Sequence, residues 1–249
     1  MAKIVINKID TAPNLPFALG RNVEHDERSR DFAFSIPPPE KLTDVIWPDV
    51  SGILDQGNVG SCTGNAAAQL VNTAAFDKMR TIVHKDTFLT EKDAVTIYSE
   101  ATKLDNISGS YPPDDTGSSG LGAAKALKRF RYIETYTHCF TWDQFCAAIA
   151  TQPVIAGTLW THNMFTPDSN GVIHVHSIAA GNIAGGHEYM IRGILYSKSL
   201  VLMRNSWSYT WCPGSENGKV PGEAWISFAD FKTLLSNQGD ITVPHPITK

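Results

Sequence analysis

Hydrophobic residues follow two different spacings in the two halves of the chain. In the first half they recur every three or four residues, as in amphipathic helices, and in the second half they form short runs bounded by Gly, Asn, Ser and Pro. The predicted helices are 65–79, 90–104, 122–130, 142–150 and 229–235. The predicted strands are 154–159, 172–175, 187–195, 200–204 and 224–228. The pattern predicts an α+β fold with a helical lobe at about 50–150 and an antiparallel sheet or barrel lobe at about 151–240.

A polar extension, residues 1–37, precedes the predicted domain, 38–249. It carries the charged run 21–30, and such a run is usually a solvated segment. Two interpretations of the extension stay open. We favour an arm packed on the domain, and the alternative is an inhibitory segment that crosses the cleft between the lobes.

Composition argues against two classes of partner. The net charge is −4 without a basic block, so nucleic-acid binding has no electrostatic basis. No apolar run is long enough to span a membrane, and residues 1–8 do not read as a signal peptide. We therefore expect no nucleic acid, no membrane partner and a cytoplasmic location.

Four residues suited to thiol chemistry occur in a useful order. Gln56 and Cys62 lie in a Gly-rich stretch before the first helix, His187 heads an apolar run, and Asn205 follows another such run. A thiol, its base, an amide to orient that base and an oxyanion donor together indicate acyl-bond hydrolysis. A helix N-terminus near Cys62 would lower the pKa of the thiol and favour the thiolate.

Other candidate residues have plainer interpretations. Free cysteines are commonly buried, and we interpret Cys139, Cys146 and Cys212 in this way. His174 and His176 alternate along a strand-like run and could hold a metal on one face, but no carboxylate or cysteine cluster accompanies them. We therefore predict no metal and no cofactor.

At its candidate catalytic residues the sequence resembles the papain family of cysteine peptidases. The family motifs Gln-Gly-x-Cys-Gly-Ser-Cys-Trp, Gly-His-Ala-Val and Asn-Ser-Trp-Gly correspond to 56–63, 186–191 and 205–212, and the similarity runs from about 44 to about 235. The resemblance implies the papain-like two-lobe fold and a cysteine endopeptidase acting on proteins or peptides. In the roles that it implies, the nucleophile is Cys62, the base is His187, its orienter is Asn205, and the oxyanion donor is Gln56 with the Cys62 amide.

The resemblance also implies a set of substrate-binding residues: Gly120, Leu121, Gly157, Gly186, Glu188 and Trp207. Trp207 would shield the Asn205–His187 hydrogen bond from water. Glu188 would line the pocket for the second residue before the scissile bond, where an acidic group favours a basic substrate. The alternative is that Glu188 points to solvent or pairs with a nearby arginine such as Arg192.

Departures from the family pattern leave substrate and origin open. Val59 and Ser118 stand where secreted relatives carry a disulfide, which suits a reducing compartment. The arm and the nucleophile stretch also resemble papain-like proteins of actinobacteria and their bacteriophages, so a phage-encoded enzyme could act in the host cytoplasm or the virion. Two alternatives to an endopeptidase are a catalytically silent virion component and an acyl transferase or peptidoglycan-directed peptidase using the same site.

Overall fold

The computed structural model describes residues 3–37, 41–48, 51–84, 87–214 and 216–247. The helices are α1 (Cys62–Val71), α2 (Asp77–His84), α3 (Glu91–Leu104), α4 (Gly120–Arg129), α5 (Trp142–Thr151) and α6 (Phe228–Ser236). Short 3-10 helices span Glu27–Phe32, Ala74–Phe76, His162–Phe165 and Ala180–Asn182. The strands are β1 (Ile4–Asn7), β2 (Val23–Asp26), β3 (Val45–Ile46), β4 (Thr135–Cys139), β5 (Val154–Thr161), β6 (Val172–Ile173), β7 (Ile183–Leu195), β8 (Leu200–Arg204), β9 (Glu223–Ser227) and β10 (Asp240–His245). The predicted α+β class is confirmed.

Helix α1 lies at the centre of the molecule, because all ten of its residues are buried. It packs against α3 on one side and against β7 of the sheet on another. Small residues permit this close approach, and a Cβ on Gly64 would lie only 2.2 Å from the Ala94 carbonyl oxygen. Cys62, the first residue of α1, is therefore held between the helices and the sheet.

The predicted helix 65–79 is wrong in its bounds. Helix α1 begins three residues earlier and ends at Val71, and α2 forms a separate helix. The break lies at Asn72 and Thr73. The Asn72 side chain donates to the Leu89 carbonyl (2.9 Å) and accepts from the Leu89 amide (2.8 Å). Thr73 Oγ1 donates to the Leu70 carbonyl at 2.7 Å, and local side-chain bonds of this kind compete with helical backbone bonds.

Eight strands form one open sheet in the order β4-β10-β5-β7-β8-β9-β6, and β3 pairs with β7. The pairs are antiparallel except for β6 with β9. Of the two predicted forms, a sheet or a barrel, the structure confirms the sheet, because the described strands do not close into a barrel. No helix in the described ranges is both long and apolar enough to cross a bilayer.

A buried ion network ties β7, β8 and β9 together. The Glu223 carboxylate accepts from Arg192 Nε at 2.6 Å and from Arg204 Nε at 2.8 Å. All three residues are at most 2% exposed. Because Arg204 directly precedes Asn205, this network also fixes the backbone that carries a candidate catalytic residue.

We expect Glu223→Ala to lower the free energy of unfolding by about 3–5 kcal/mol, because buried guanidinium groups lose their counter-charge. Chemical denaturation measures the change. Glu216→Ala is the control, since Glu216 is exposed. A loss as small as that of the control would contradict this role of the network.

Candidate active site

The structure brings the four predicted catalytic residues to one place between α1 and the sheet. His187 lies in β7, Asn205 follows β8, and Cys62 begins α1. His187 Nε2 is 2.7 Å from Asn205 Oδ1. Gln56 is tied to the same loop, because its Oε1 accepts from Ser206 Oγ at 2.7 Å.

The side-chain amide of Gln69 in α1 bonds to the two chain segments that carry Asn205 and Gln56. Gln69 Nε2 donates to the Asn205 carbonyl oxygen at 3.2 Å, and Gln69 Oε1 accepts from the Leu54 amide at 3.3 Å. Leu54 lies two residues before Gln56. The helix that starts with Cys62 therefore also positions both the orienting and the oxyanion-donor segments.

Aromatic rings enclose the imidazole of His187. The ring of Trp207 stacks on it at 4.5 Å, and Trp160 meets it edge-on at 4.9 Å. Asn205 engages Nε2, whereas Nδ1 has no hydrogen-bond partner. Nδ1 is thus the ring nitrogen left to exchange a proton.

The pKa of Cys62 in the enclosed site is raised, whereas the sequence predicted that the helix N-terminus would lower it. Burial, and then the charge of Glu188, raise the pKa of the Cys62 thiol to about 12, against smaller lowering effects of nearby backbone amides. Burial lowers the pKa of His187 to about 4, although the Asn205 hydrogen bond acts in the opposite direction. In this state the pair is a neutral thiol and a neutral imidazole, because water is excluded from both groups.

The N-terminal arm is what covers the site. The Gly20 and Arg21 amides donate to the Gly186 carbonyl oxygen, at 3.2 and 3.0 Å. On the other side, the Ser118 amide donates to the Gly20 carbonyl at 2.8 Å, and the Asn22 amide donates to the Ser118 carbonyl at 2.7 Å. The arm therefore runs between the two sides of the cleft and bonds to both.

The arm also contacts the candidate catalytic groups. Gln56 Nε2 donates to the Ala18 carbonyl oxygen at 3.2 Å, and the ring of Phe17 stacks on Trp207 at 4.7 Å. The fit at Gly20 is tight, since a Cβ there would lie 1.9 Å from the Gly60 carbonyl oxygen. The cleft-crossing interpretation, which we did not favour from the sequence, describes the structure.

The predicted substrate-binding residues fall into two places. Gly186 and Trp207 contact the arm directly, whereas Gly157 and Glu188 lie against the buried side chain of Arg21, and Gly120 lies against the Glu188 carboxylate. Leu121, together with Gly120, lines a neighbouring cavity of about 860 Å³.

Glu188 does not point to solvent, and the arginine near it is Arg21 rather than Arg192. Glu188 is fully buried, and its nearest cation is Arg21 at 4.0 Å. Arg192 pairs instead with Glu223. Asp240, which binds Arg21 directly, escaped sequence reasoning because no strand was predicted around it.

No metal site accompanies these groups in the ranges that the structure describes, where no cluster of three His, Cys, Asp or Glu side chains occurs. His174 contacts the Asp168 carboxylate at 2.9 Å. Strand β6 ends at Ile173, so the predicted strand 172–175 is shorter than expected and does not include the two histidines.

Several solved structures share this arrangement of elements. Xylellain, a cysteine protease from Xylella fastidiosa, superposes with a TM-score of 0.65 at 18% identity over 98% of both chains, a span that includes most of the arm. The fold is that of papain-like cysteine proteases. Bromelain from Ananas comosus, solved with E-64, gives a TM-score of 0.56 at 15% identity over 82% of this chain and 99% of its own. The Carica candamarcensis protease CMS1MS2, also solved with E-64, gives a TM-score of 0.51 at 17% identity over 82% of this chain and 98% of its own.

No protein-family profile and no curated protein sequence matches the chain. At these identities the likeness establishes the papain-like fold and leaves the residue roles as predictions. The resemblance to actinobacterial and bacteriophage proteins likewise stays a prediction.

We expect Gly20→Ala to raise the rate at which a small reagent alkylates Cys62. The added carbon would overlap the Gly60 carbonyl, and overpacking of about 1–3 kcal/mol corresponds to roughly 5- to 150-fold more of the uncovered state. Peptide mapping by mass spectrometry measures the rate at neutral pH. Gly181→Ala is the control, because a Cβ there meets nothing within 4 Å. Equal rates in wild type and both variants would show that the arm does not limit access.

We expect the His187 ring of the wild-type chain to titrate near pH 4 rather than at the ordinary 6.5. The uncovered state then binds more protons between these values, so the His187 contribution favours uncovering as the pH falls through this window. NMR titration, with the signal assigned by its loss in His187→Gln, measures the pKa. Gly20→Ala should move it upward, and an ordinary value in both chains would contradict the burial argument.

Proposed function

We propose that this protein is a cysteine endopeptidase that its N-terminal arm holds inactive until the arm is displaced. The observation that carries the proposal is the His187–Asn205 pair in a papain-like fold, together with the next residue of β7, Glu188, whose backbone amide faces the thiol of Cys62. The arm lies across this group, so the covered structure is a resting state. Papain-like structural neighbours that bind E-64 support the choice of reaction class.

Uncovering would restore the charges that the mechanism needs. Water then reaches Cys62 and His187, and the pKa values of both groups move back toward their ordinary ranges. The N-terminus of α1 favours negative charge on the sulfur, and proton transfer from Cys62 to His187 Nδ1 gives a thiolate and an imidazolium. Asn205 holds the ring through Nε2 and, being neutral, leaves the proton in place.

The thiolate attacks the carbonyl carbon of the scissile bond, so a C–S bond forms and the carbonyl oxygen gains the negative charge. Gln56 Nε2, which donates to the Ala18 carbonyl in the covered state, would donate to this oxyanion. The C–N bond then breaks while His187 gives its proton to the leaving amine. Water hydrolyses the resulting thioester and restores the thiol.

We test the proposal in the full chain carrying Gly20→Ala, with E-64 labelling and hydrolysis of a fluorescent casein. We expect one E-64 adduct, on Cys62, and hydrolysis that Cys62→Ala abolishes. His187→Ala should lower the hydrolysis rate about 10²- to 10⁴-fold, the usual range for a general acid–base.

Cys146→Ala is the matched control, since Cys146 is buried in α5 away from this group, and it should keep both activities. Neither adduct nor hydrolysis in the Gly20→Ala chain would favour the catalytically silent component. With an added amine, an amide product in place of the acid would identify an acyl transferase.

A further inference from the structure

The carboxylate of Asp115 joins the loop before α4 to the turn before α1. Its Oδ2 accepts from the Gly60 amide at 2.8 Å, and its Oδ1 accepts from the Tyr98 hydroxyl at 2.5 Å. All four cysteines of the chain are free, so a hydrogen bond rather than a disulfide ties the turn to the loop. Gly60 lies two residues before Cys62, and the contact therefore lies next to the candidate nucleophile.

Tyr98 holds this carboxylate in place from the core. Its side chain is fully buried in α3, and its hydroxyl also accepts from the Gly117 amide at 2.9 Å. Burial and the hydrogen bond to Asp115 raise the pKa of Tyr98, so the hydroxyl keeps its proton and donates to the carboxylate. Helix α3 lies close to α1 here, since a Cβ on Gly64 would lie 2.7 Å from the Tyr98 amide nitrogen. Asp115 is therefore fixed relative to α1, although it lies in an exposed loop.

A single peptide group connects Asp115 to the candidate oxyanion donor. The amide of Gly60 and the carbonyl of Val59 belong to the same planar peptide unit. Its N–H end donates to Asp115. Its carbonyl end accepts from Gln56 Nε2 at 3.0 Å and from the Ser61 amide at 2.7 Å. Because the unit is planar, the orientation of its N–H also fixes the orientation of its carbonyl.

The carbonyl of Val59 in turn fixes the side-chain amide of Gln56. Gln56 Oε1 accepts from Ser206 Oγ at 2.7 Å. Gln56 Nε2 donates to the Val59 carbonyl and, at 3.2 Å, to the Ala18 carbonyl of the arm. This nitrogen carries two hydrogens, so the bond to Val59 uses one and leaves the other for a group in the cleft. That second hydrogen is the one that would donate to the oxyanion.

The glycine at position 60 makes this peptide unit easy to reorient. A residue without a Cβ populates positive φ about as readily as negative φ, so the backbone of Gly60 itself does little to oppose rotation of the unit. A larger residue would fit poorly, because its Cβ would lie 3.0 Å from Asp115 Oδ1 and 3.0 Å from the Leu19 carbonyl oxygen. When the arm leaves the cleft, the contact with Leu19 is lost and the hydrogen bond to Asp115 remains.

We propose that Asp115 is a positioning residue for the oxyanion donor. It holds the Val59–Gly60 peptide so that one Nε2 hydrogen of Gln56 stays bonded to Val59 and the other stays aimed into the cleft. This inference rests on the proposed peptidase function, in which Gln56 stabilises the oxyanion.

The test measures kcat and KM for fluorescent casein in the full chain with Gly20→Ala. We expect Asp115→Ala to lower kcat about 10- to 100-fold, the range for a small misplacement of a catalytic group, and to leave KM within about twofold. Asp115→Asn should lower kcat less, because it keeps one acceptor oxygen. Asp114→Ala is the matched control, since Asp114 is exposed in the same loop, and it should leave kcat unchanged. Hydrolysis with a kcat that Asp115→Ala does not change would overturn the inference and leave the peptidase function standing.

A double-mutant cycle tests whether Asp115 acts through Gln56. Gln56→Ala should lower kcat about 10²- to 10³-fold, the usual loss for an oxyanion donor. In that chain Asp115→Ala should lower kcat by no more than about a further twofold, because the donor that it positions is gone. A further loss as large as in the chain with Gln56 would mean that the carboxylate acts on another group, and would overturn the inference.

A measurement by NMR needs no turnover. In the otherwise wild-type chain, Asp115→Ala should shift the signals of the Gln56 side-chain amide, which are assigned by their loss in Gln56→Ala, and Asp114→Ala should not. Unshifted signals in Asp115→Ala would overturn the inference. Shifted signals in a chain that hydrolyses no casein would leave the link between Asp115 and Gln56 standing, while the peptidase proposal fails.

Discussion

The burial of helix α1 is the constraint on which the rest of the site depends. A helix with every residue buried has one permitted position, and its first residue is the candidate nucleophile. Through Gln69 the same helix bonds to the segments that carry Gln56 and Asn205. The relative placement of the four candidate groups is thus set by core packing, and in the proposed peptidase this packing would preorganise them for catalysis.

The state with the arm in the cleft and the proposed state without it differ in two ways. They differ in the charges that Cys62 and His187 can carry and in the space left for a peptide. With the arm in place, water is excluded, and burial opposes both the thiolate of Cys62 and the imidazolium of His187. In the proposed peptidase, the arm takes contacts that a peptide would use, namely those to the Gly186 carbonyl and the Gln56 amide. In the proposed peptidase, occupation of the cleft would therefore remove substrate access and activation of the Cys62 thiol together.

Local features of the sequence predicted the helices, because residue spacing reports on neighbouring residues, whereas the candidate catalytic residues came from the resemblance to a family. Helix α3, for example, follows its Thr90–Asp93 capping box and ends where predicted, at Leu104. The predictions that failed concern features that the pattern of neighbouring residues does not determine. Helix α1 ends just before Asn72, whose side chain bonds the distant Leu89. Strand β10 pairs with β4 and β5 although it carries a proline, which argues against a strand. The buried state of Cys62 involves an arm about forty residues away. The arginine near Glu188 lies at position 21 and binds Asp240 as well, a set of three residues that no local pattern could bring together.

The arm is covalently part of the chain that it covers, and this tether has a consequence of its own. A tethered segment meets its site at an effective concentration that reaches the millimolar range for short connections, whatever the protein concentration. A substrate in solution must compete against that local concentration. One cut between the arm and α1 would leave every contact at Gly20, Arg21 and Phe17 intact, yet would turn their binding into an encounter between two molecules. From then on, simple dilution would be enough to release the arm.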